Sequence, residues 1–262
     1  MESLSLHSTR FFSNTLELTT SAHVILPEQK YVDPSHPDSL ADITYPTLWL
    51  LHGLSDDDSG WTRQTSIERY ANERGVAVVM PQVGRSFYAD MTYGNAYWTF
   101  LTKELPVKMR HFFPLSTDPR KNYVAGLSMG GYGAFKWAFN YPEQFAAAAS
   151  FSGVMDLAGY QAQFGANMKD FDAIFAGQTI EGTPLDLFWL ANEANRARLS
   201  HLKLYQSCGT EDFLYEQNVK FRDYVAEQPD LPGYTYSEGP GGHEWSFWDK
   251  EIKRVIDWLP LP

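Results

Sequence analysis

Gly126-Leu127-Ser128-Met129-Gly130 has the G-x-S-x-G spacing. Before it stand Tyr123, Val124 and Ala125, a strand-like run, and after it come Gly131, Gly133 and Ala134, small residues that open a helix. A serine on such a strand-to-helix turn stands exposed at the edge of a sheet, and its flanking glycines let strand and helix approach closely. A serine hydroxyl attacks an acyl carbonyl only when a base takes its proton. After Ser128 the chain holds two histidines, His201 and His243. His243 lies in the glycine-rich run Gly239-Pro240-Gly241-Gly242-His243, just before the last helical segment, which is where the base belongs when the chain order is serine, acid, histidine. His201 opens a strand and reads as a cap or a solvent-facing residue.

The third member is a carboxylate that orients the imidazole and stabilises its charged form. Asp212 follows the strand-like run 202–208 and is favoured over its neighbour Glu211 and over Asp156, because it lies on the loop nearest in sequence to the histidine. The tetrahedral intermediate also needs backbone donors. One is expected from the N–H of Met129. The second is expected from Leu54, with Gly53 as the runner-up, on the loop that ends the apolar run 47–51. His52 is then structural. Tyr88, Asp90 and Tyr93 follow the apolar run 76–80 and are expected to line the acyl pocket.

These residues need a sheet to carry them. Residues 15–26 alternate and read as a strand, paired with 10–13. Residues 27–46, with Pro27, Pro34, Pro37 and Pro46, read as a surface loop. The short apolar runs 47–51, 76–80, 122–127, 146–151 and 202–207 suit strands buried on both faces. A shorter strand is expected at 234–237. Helices are expected between Thr65, which has capping-box spacing to Glu68, and Gly75, and over 97–113, 130–140, 215–226 and 244–259. Pro106 should kink the second of these or mark its first turn. Alternating strands and helices predict one α/β domain over 1–262 with a mostly parallel sheet and helices on both faces, and the serine on a strand-to-helix elbow makes the expected architecture an α/β-hydrolase fold. Residues 156–200 interrupt the rhythm and are expected to be a helical insertion, a lid over the site.

The chain has 262 residues and a formal charge of -11. That sign gains nothing from neutralising phosphates, so neither nucleic acid nor an anionic membrane is an expected partner. The single cysteine, Cys208, excludes an internal disulfide and is expected to be an inert buried thiol. No signal peptide is expected from the polar first ten residues, and no apolar run approaches the length of a membrane span. The expectation is a soluble, cytoplasmic protein acting on a small-molecule ester, with a homo-oligomer left open. The run Asp56-Asp57-Asp58 lacks the spacing of a calcium loop and reads as a solvated acidic turn, so no metal is expected. Trp61, Trp245, Trp248 and Trp258 read as core.

The same residues carry a resemblance. The blocks Leu50-Leu51-His52-Gly53, residues 125–133, Ser150-Phe151-Ser152-Gly153, Cys208-Gly209 with residues 211–215, and His243-Glu244-Trp245 resemble the "Putative esterase" family. That family includes S-formylglutathione hydrolase (esterase D) and the mycolyltransferase antigens, and the blocks are closest to its bacterial tributyrin-esterase group. The resemblance runs from about residue 45 to the C-terminus. It implies that the catalytic serine, aspartate and histidine fall on Ser128, Asp212 and His243, and that short-chain acyl esters are hydrolysed without a cofactor. Relatives that deacetylate sugars or cleave feruloyl esters leave the alcohol side open. Thioester hydrolysis of S-formylglutathione and acyl transfer to an alcohol are the nearest alternatives. A non-catalytic binding module is the remote one, and the complete serine, aspartate and histidine set speaks against it.

Overall fold

The computed structural model describes residues 4–28, 35, 43–192, 197–227, 231 and 233–262. Most of the expected proline-rich loop, and the stretch 193–196 of the insertion, lie outside the described residues. The first strands, β1 (Leu4–Ser13) and β2 (Leu18–Pro27), form an antiparallel hairpin in register from Leu4 opposite Pro27 to Ser13 opposite Leu18. Then come β3 (Thr47–Leu51), the short helix α1 (Gly60–Gln64), α2 (Ile67–Arg74) and β4 (Ala77–Pro81). Gly75 closes α2 in the left-handed conformation, as its position predicts. The capping box does not form. Ser66 holds the N-cap position without a side-chain bond, and the Thr65 hydroxyl accepts instead from the Ile67 N–H.

The next helical stretch passes through a π-helical turn, Phe100–Glu104, into α3 (Leu105–Phe112). Pro106 sits in the first turn of α3. The wider turn before it accommodates a residue that has no N–H to give and whose ring crowds the preceding turn. β5 (Asn122–Leu127), α4 (Met129–Asn140) and β6 (Ala147–Phe151) follow. The segment after β6 is helical, as expected, in the short pieces α5 (Leu157–Phe164), α6 (Phe171–Phe175) and α7 (Leu187–Leu190). The chain finishes with β7 (Lys203–Gly209), α8 (Tyr215–Ala226), β8 (Tyr234–Gly239) and α9 (Trp245–Trp258).

The eight strands make one sheet in the order β1-β2-β4-β3-β5-β6-β7-β8. β1, β2 and β4 pair antiparallel, and every pair from β4 to β8 is parallel. Parallel strands require cover on both faces, and alternate residues show it. Trp49, Leu51 and Val124 face one apolar cluster with α4, while Leu48, Leu50, Tyr123, Ala125 and Leu127 face the other with α2 and α9. This is the α/β-hydrolase fold. After β3 the chain moves to β4 on one side, and later strands build outward from β5 on the other. Ligands in open α/β sheets bind at the carboxyl ends of strands where the order reverses in this way. Here those ends are Leu51, followed by His52-Gly53-Leu54, and Leu127, followed by Ser128.

Candidate active site

The turn between β5 and α4 holds Ser128 at φ 54° and ψ −119°. Such a conformation is strained for any residue with a Cβ, so surrounding bonds must impose it. The Ser128 N–H donates to the Phe151 carbonyl at 2.9 Å, and the Ser128 carbonyl accepts from Tyr132 at 3.1 Å and Val154 at 3.3 Å. The two motif glycines explain the close approach. A Cβ on Gly126 would meet the Gly130 carbonyl, and one on Gly130 would meet the Leu51 carbonyl. Helix and strands therefore touch backbone to backbone where the serine turns outward.

His243 Nε2 lies 2.9 Å from Ser128 Oγ, and His243 Nδ1 lies 2.9 Å from Asp212 Oδ2. Asp212 Oδ1 accepts from the Leu214 N–H at 2.8 Å, and the carboxylate is fully buried. With Nδ1–H given to Asp212, Nε2 is left as the acceptor facing the serine hydroxyl. Two loops hold this row in place. Thr210 donates to the Gly239 carbonyl, Glu211 N–H donates to the Gly241 carbonyl, and the Glu211 carboxylate accepts the Gly241 N–H in return. That bond is what holds the Glu211 carboxyl below its usual range. Asp156 lies elsewhere. It caps α5 through the Gly159 N–H and pairs with Lys220 at 2.6 Å. His201 gives its ring nitrogen to the Pro142 carbonyl at 2.9 Å.

A cavity of about 300 Å³ opens on Ser128 and His243. Gly53, Leu54 and Met129 are among the residues that line it. Met129 is the first residue of α4, where an N–H has no partner within the helix. The Leu54 N–H donates to no other backbone group among the described residues. His52 is fully buried, donates from Nδ1 to the Gly53 carbonyl at 2.7 Å and accepts the Val83 N–H at Nε2. Burial keeps its pKa below the usual histidine value, so the ring is neutral and structural.

The three residues expected to line the acyl pocket are elsewhere. Tyr88 is completely buried, its hydroxyl donates to the His52 carbonyl at 2.8 Å, and its ring fills the space a side chain on Gly133 would need. Asp90 accepts from the Thr99 N–H and hydroxyl and so caps a helical turn. Tyr93 is 73% exposed, because its backbone N–H pairs with Ala173 of the insertion and its ring is left in solvent. Phe87 takes the expected place in the wall. Phe87 and Tyr88 both have positive φ, 49° and 53°, and this paired reversal is not legible from residue types. Tyr160, Phe213, Trp245 and Trp248 are the other aromatic walls. Trp248 belongs to the core, as expected, but its ring also packs edge-on at 4.9 Å from His243. Phe213 lies 4.7 Å from the same ring.

The three acidic neighbours have separate engagements. Asp57 accepts from Ser59, Asp58 pairs with His23 at 3.3 Å, and Asp56 lines the cavity, where burial raises its pKa. Cys208 is buried, and burial pushes its thiol far above the usual range.

Known proteins share this arrangement of chain. A model of the family described as "Putative esterase" matches residues 13–259. An acetyl esterase of Caldicellulosiruptor saccharolyticus is 28% identical over 257 residues, 95% of this chain and 96% of that protein. Two solved structures from Staphylococcus aureus align closely. One is the fluorophosphonate-binding serine hydrolase FphF with substrate bound, at a TM-score of 0.87 and 38% identity over 98% of both chains. The other is the S-formylglutathione hydrolase FrmB, at 0.84 and 37%, covering 98% of this chain and 99% of that one. No described helix is long and apolar enough to cross a membrane. With nearly its whole length matched, the chain belongs to the "Putative esterase" family and is a carboxylic ester hydrolase.

Proposed function

We propose that the protein is a metal-independent serine esterase for short acyl chains, with Ser128 as nucleophile, His243 as general base and acid, and Asp212 as the orienting carboxylate. The observation that carries this reading is the continuous row from Asp212 through His243 to Ser128 Oγ, with both links at 2.9 Å. Ser128 Oγ attacks the ester carbonyl as His243 Nε2 takes its proton. The Met129 and Leu54 N–H groups receive the developing oxyanion. His243 returns the proton to the departing alcohol oxygen, the acyl group remains on Ser128, and water then attacks it with His243 again as base. The aromatic walls around Ser128 bound a cavity of about 300 Å³, which suits a short acyl group. The fold is read as one catalytic domain in which residues 156–200 supply part of that wall through Tyr160. Such a row can cleave oxygen esters and thioesters alike, so the leaving group has to be read from the surroundings of the site.

The test is hydrolysis of p-nitrophenyl acetate by the wild type and by Ser128→Ala, with and without a chelator. The variant should lose at least about a thousandfold in kcat, the scale seen when a member of such a row is removed, and chelator should leave the wild type unchanged. Wild-type turnover by the variant contradicts the assignment.

A further inference from the structure

Asp56 is the only carboxylate in the wall of the cavity at Ser128, and among the described residues no lysine or arginine lines that cavity with it. The esterase mechanism above makes no use of it. Resting on that reading, we propose that Asp56 and the ring of Trp245 form a subsite for an organic cation, and that the protein prefers short-chain esters whose alcohol carries an ammonium group.

The position follows from two glycines. A Cβ placed on Gly53 would lie 3.2 Å from Asp56 Oδ2 and 3.8 Å from Ser128 Cβ, so the carboxylate and the nucleophile border the same backbone residue. A Cβ placed on Gly60 would lie 3.4 Å from Asp56 Cβ and 3.5 Å from Trp245 Cζ2, so Asp56 and the tryptophan border a second one. Trp245 is half-buried and lines the cavity. From it the aromatic wall continues to Trp248, 5.3 Å away between ring centres, and from Trp248 to the His243 ring at 4.9 Å. An ammonium ion is attracted both by a carboxylate and by the π system of a tryptophan, the strongest of the aromatic partners.

The chemistry follows from charge. Asp57 accepts from Ser59 and Asp58 pairs with His23, whereas Asp56 has no ion pair among the described residues. Burial raises its pKa, and the neighbouring Asp57 adds to the shift. His52 and Arg63 through space, and the Gly53 backbone by a hydrogen bond, oppose the shift without cancelling it. A bound ammonium supplies the charge that the wall lacks. A metal ion fits less well. One carboxylate is too few donors for a hard cation, and no group of three His, Cys, Asp or Glu side chains among the described residues could hold one. The formal charge of -11 adds a field that draws cations toward the molecule. The esterase reading assigns a short acyl group, so the cation is carried by the alcohol.

The experiment compares kcat/KM for acetylcholine and for its uncharged carbon isostere, 3,3-dimethylbutyl acetate, in the wild type, Asp56→Asn and Trp245→Leu, with thermal melts to confirm folding. The two esters share acyl group, chain length and head-group shape, and their difference in intrinsic reactivity cancels when ratios are compared between proteins. The ratio of cationic to neutral ester in the wild type should exceed that in Asp56→Asn by at least about tenfold, chiefly through KM for the cationic ester. Trp245→Leu should lower it severalfold. Tetramethylammonium chloride should inhibit wild-type hydrolysis of the neutral ester competitively, at concentrations where sodium chloride does not. A ratio unchanged in Asp56→Asn, or no inhibition beyond that of sodium chloride, would overturn the proposal, and turnover of the neutral ester in the same assays would show the esterase intact. If Asp56→Asn does not fold, the tetramethylammonium result on the wild type decides. Failure of the wild type on both acetates and on p-nitrophenyl acetate would remove the underlying reading instead.

Discussion

Asp212 and Glu211 are neighbours with different tasks, and residue type alone does not separate them. The buried Asp212 carboxylate meets the His243 ring, whereas Glu211 ties the histidine's loop down through the Gly241 N–H. Asp212→Asn keeps the shape of the side chain but presents an amide N–H or a weaker acceptor to Nδ1, which favours the wrong tautomer. Its kcat should fall by about a thousandfold to ten-thousandfold. Glu211→Gln retains a hydrogen-bond acceptor for Gly241 and should stay within about tenfold of wild type, because one loop tether contributes on the order of 1 kcal/mol. Steady-state rates on p-nitrophenyl acetate check both, and reversed magnitudes would exchange the two roles. At this scale the sequence was informative wherever chemistry demands a residue type in a fixed context: the serine between glycines, the histidine in its glycine-rich loop, the carboxylate after a strand. It was silent on Phe87, since choosing between it and Tyr88 depends on two consecutive left-handed residues that neither side chain favours.

Among the elements, α4 combines two requirements. Its first turn must lie against β3 and β5, which the glycines permit. Its next turns must fill a core, and there Lys136 is buried with Nζ donating to the Tyr88 carbonyl at 2.9 Å and lying 4.1 Å over the Trp98 ring. Burial lowers its pKa to about 7, with the Asp90 charge opposing the shift. The unfolded chain holds an ordinary lysine, so between about pH 7 and the model-peptide value of 10.5 it binds more protons than the folded one. Stability should therefore rise with pH across that window, be complete above it, and be lost as pH falls through it. Lys136→Met should raise the melting temperature at pH 7, by about 1–3 kcal/mol of stability, with the gain shrinking toward pH 10. An equal shift at both values, or destabilisation at pH 7, would show that the charge is better accommodated than its burial implies. Strand positions were legible because five short apolar runs have only one comfortable place, inside a covered parallel sheet. The π-turn before Pro106 and the failure of the Thr65 capping box were not legible. The first is one of several ways a helix can accommodate a proline, and the second depends on a tertiary neighbour, since the Ser66 N–H is taken by Asp249 of α9.

For the molecule as a whole, the reversal of strand order between β3 and β5 concentrates function at one edge of the sheet. The loops after β3, β5 and β7 and the turn into α9 all deliver residues to the same cavity. Its volume of about 300 Å³, walled by Phe87, Tyr160, Trp245 and Trp248, limits the acyl chain. The kcat/KM for p-nitrophenyl octanoate should fall below that for butyrate by at least about tenfold, the scale of losing one to two buried methylenes' worth of fit. Equal rates would mean that these walls yield to longer chains. The covered, mostly parallel sheet was readable from alternation and the α/β-hydrolase architecture from the serine elbow on it, whereas the shape of the cavity was not, because the insertion packs on the loop after β4 through backbone bonds such as Tyr93 to Ala173. The central claim, that Ser128 is the nucleophile, is tested most directly by intact-mass and peptide-mass measurement after treatment with a fluorophosphonate. One adduct on Ser128, lost together with esterase activity in Ser128→Ala, is the predicted result. An adduct on another residue, or full labelling and activity in Ser128→Ala, would contradict it.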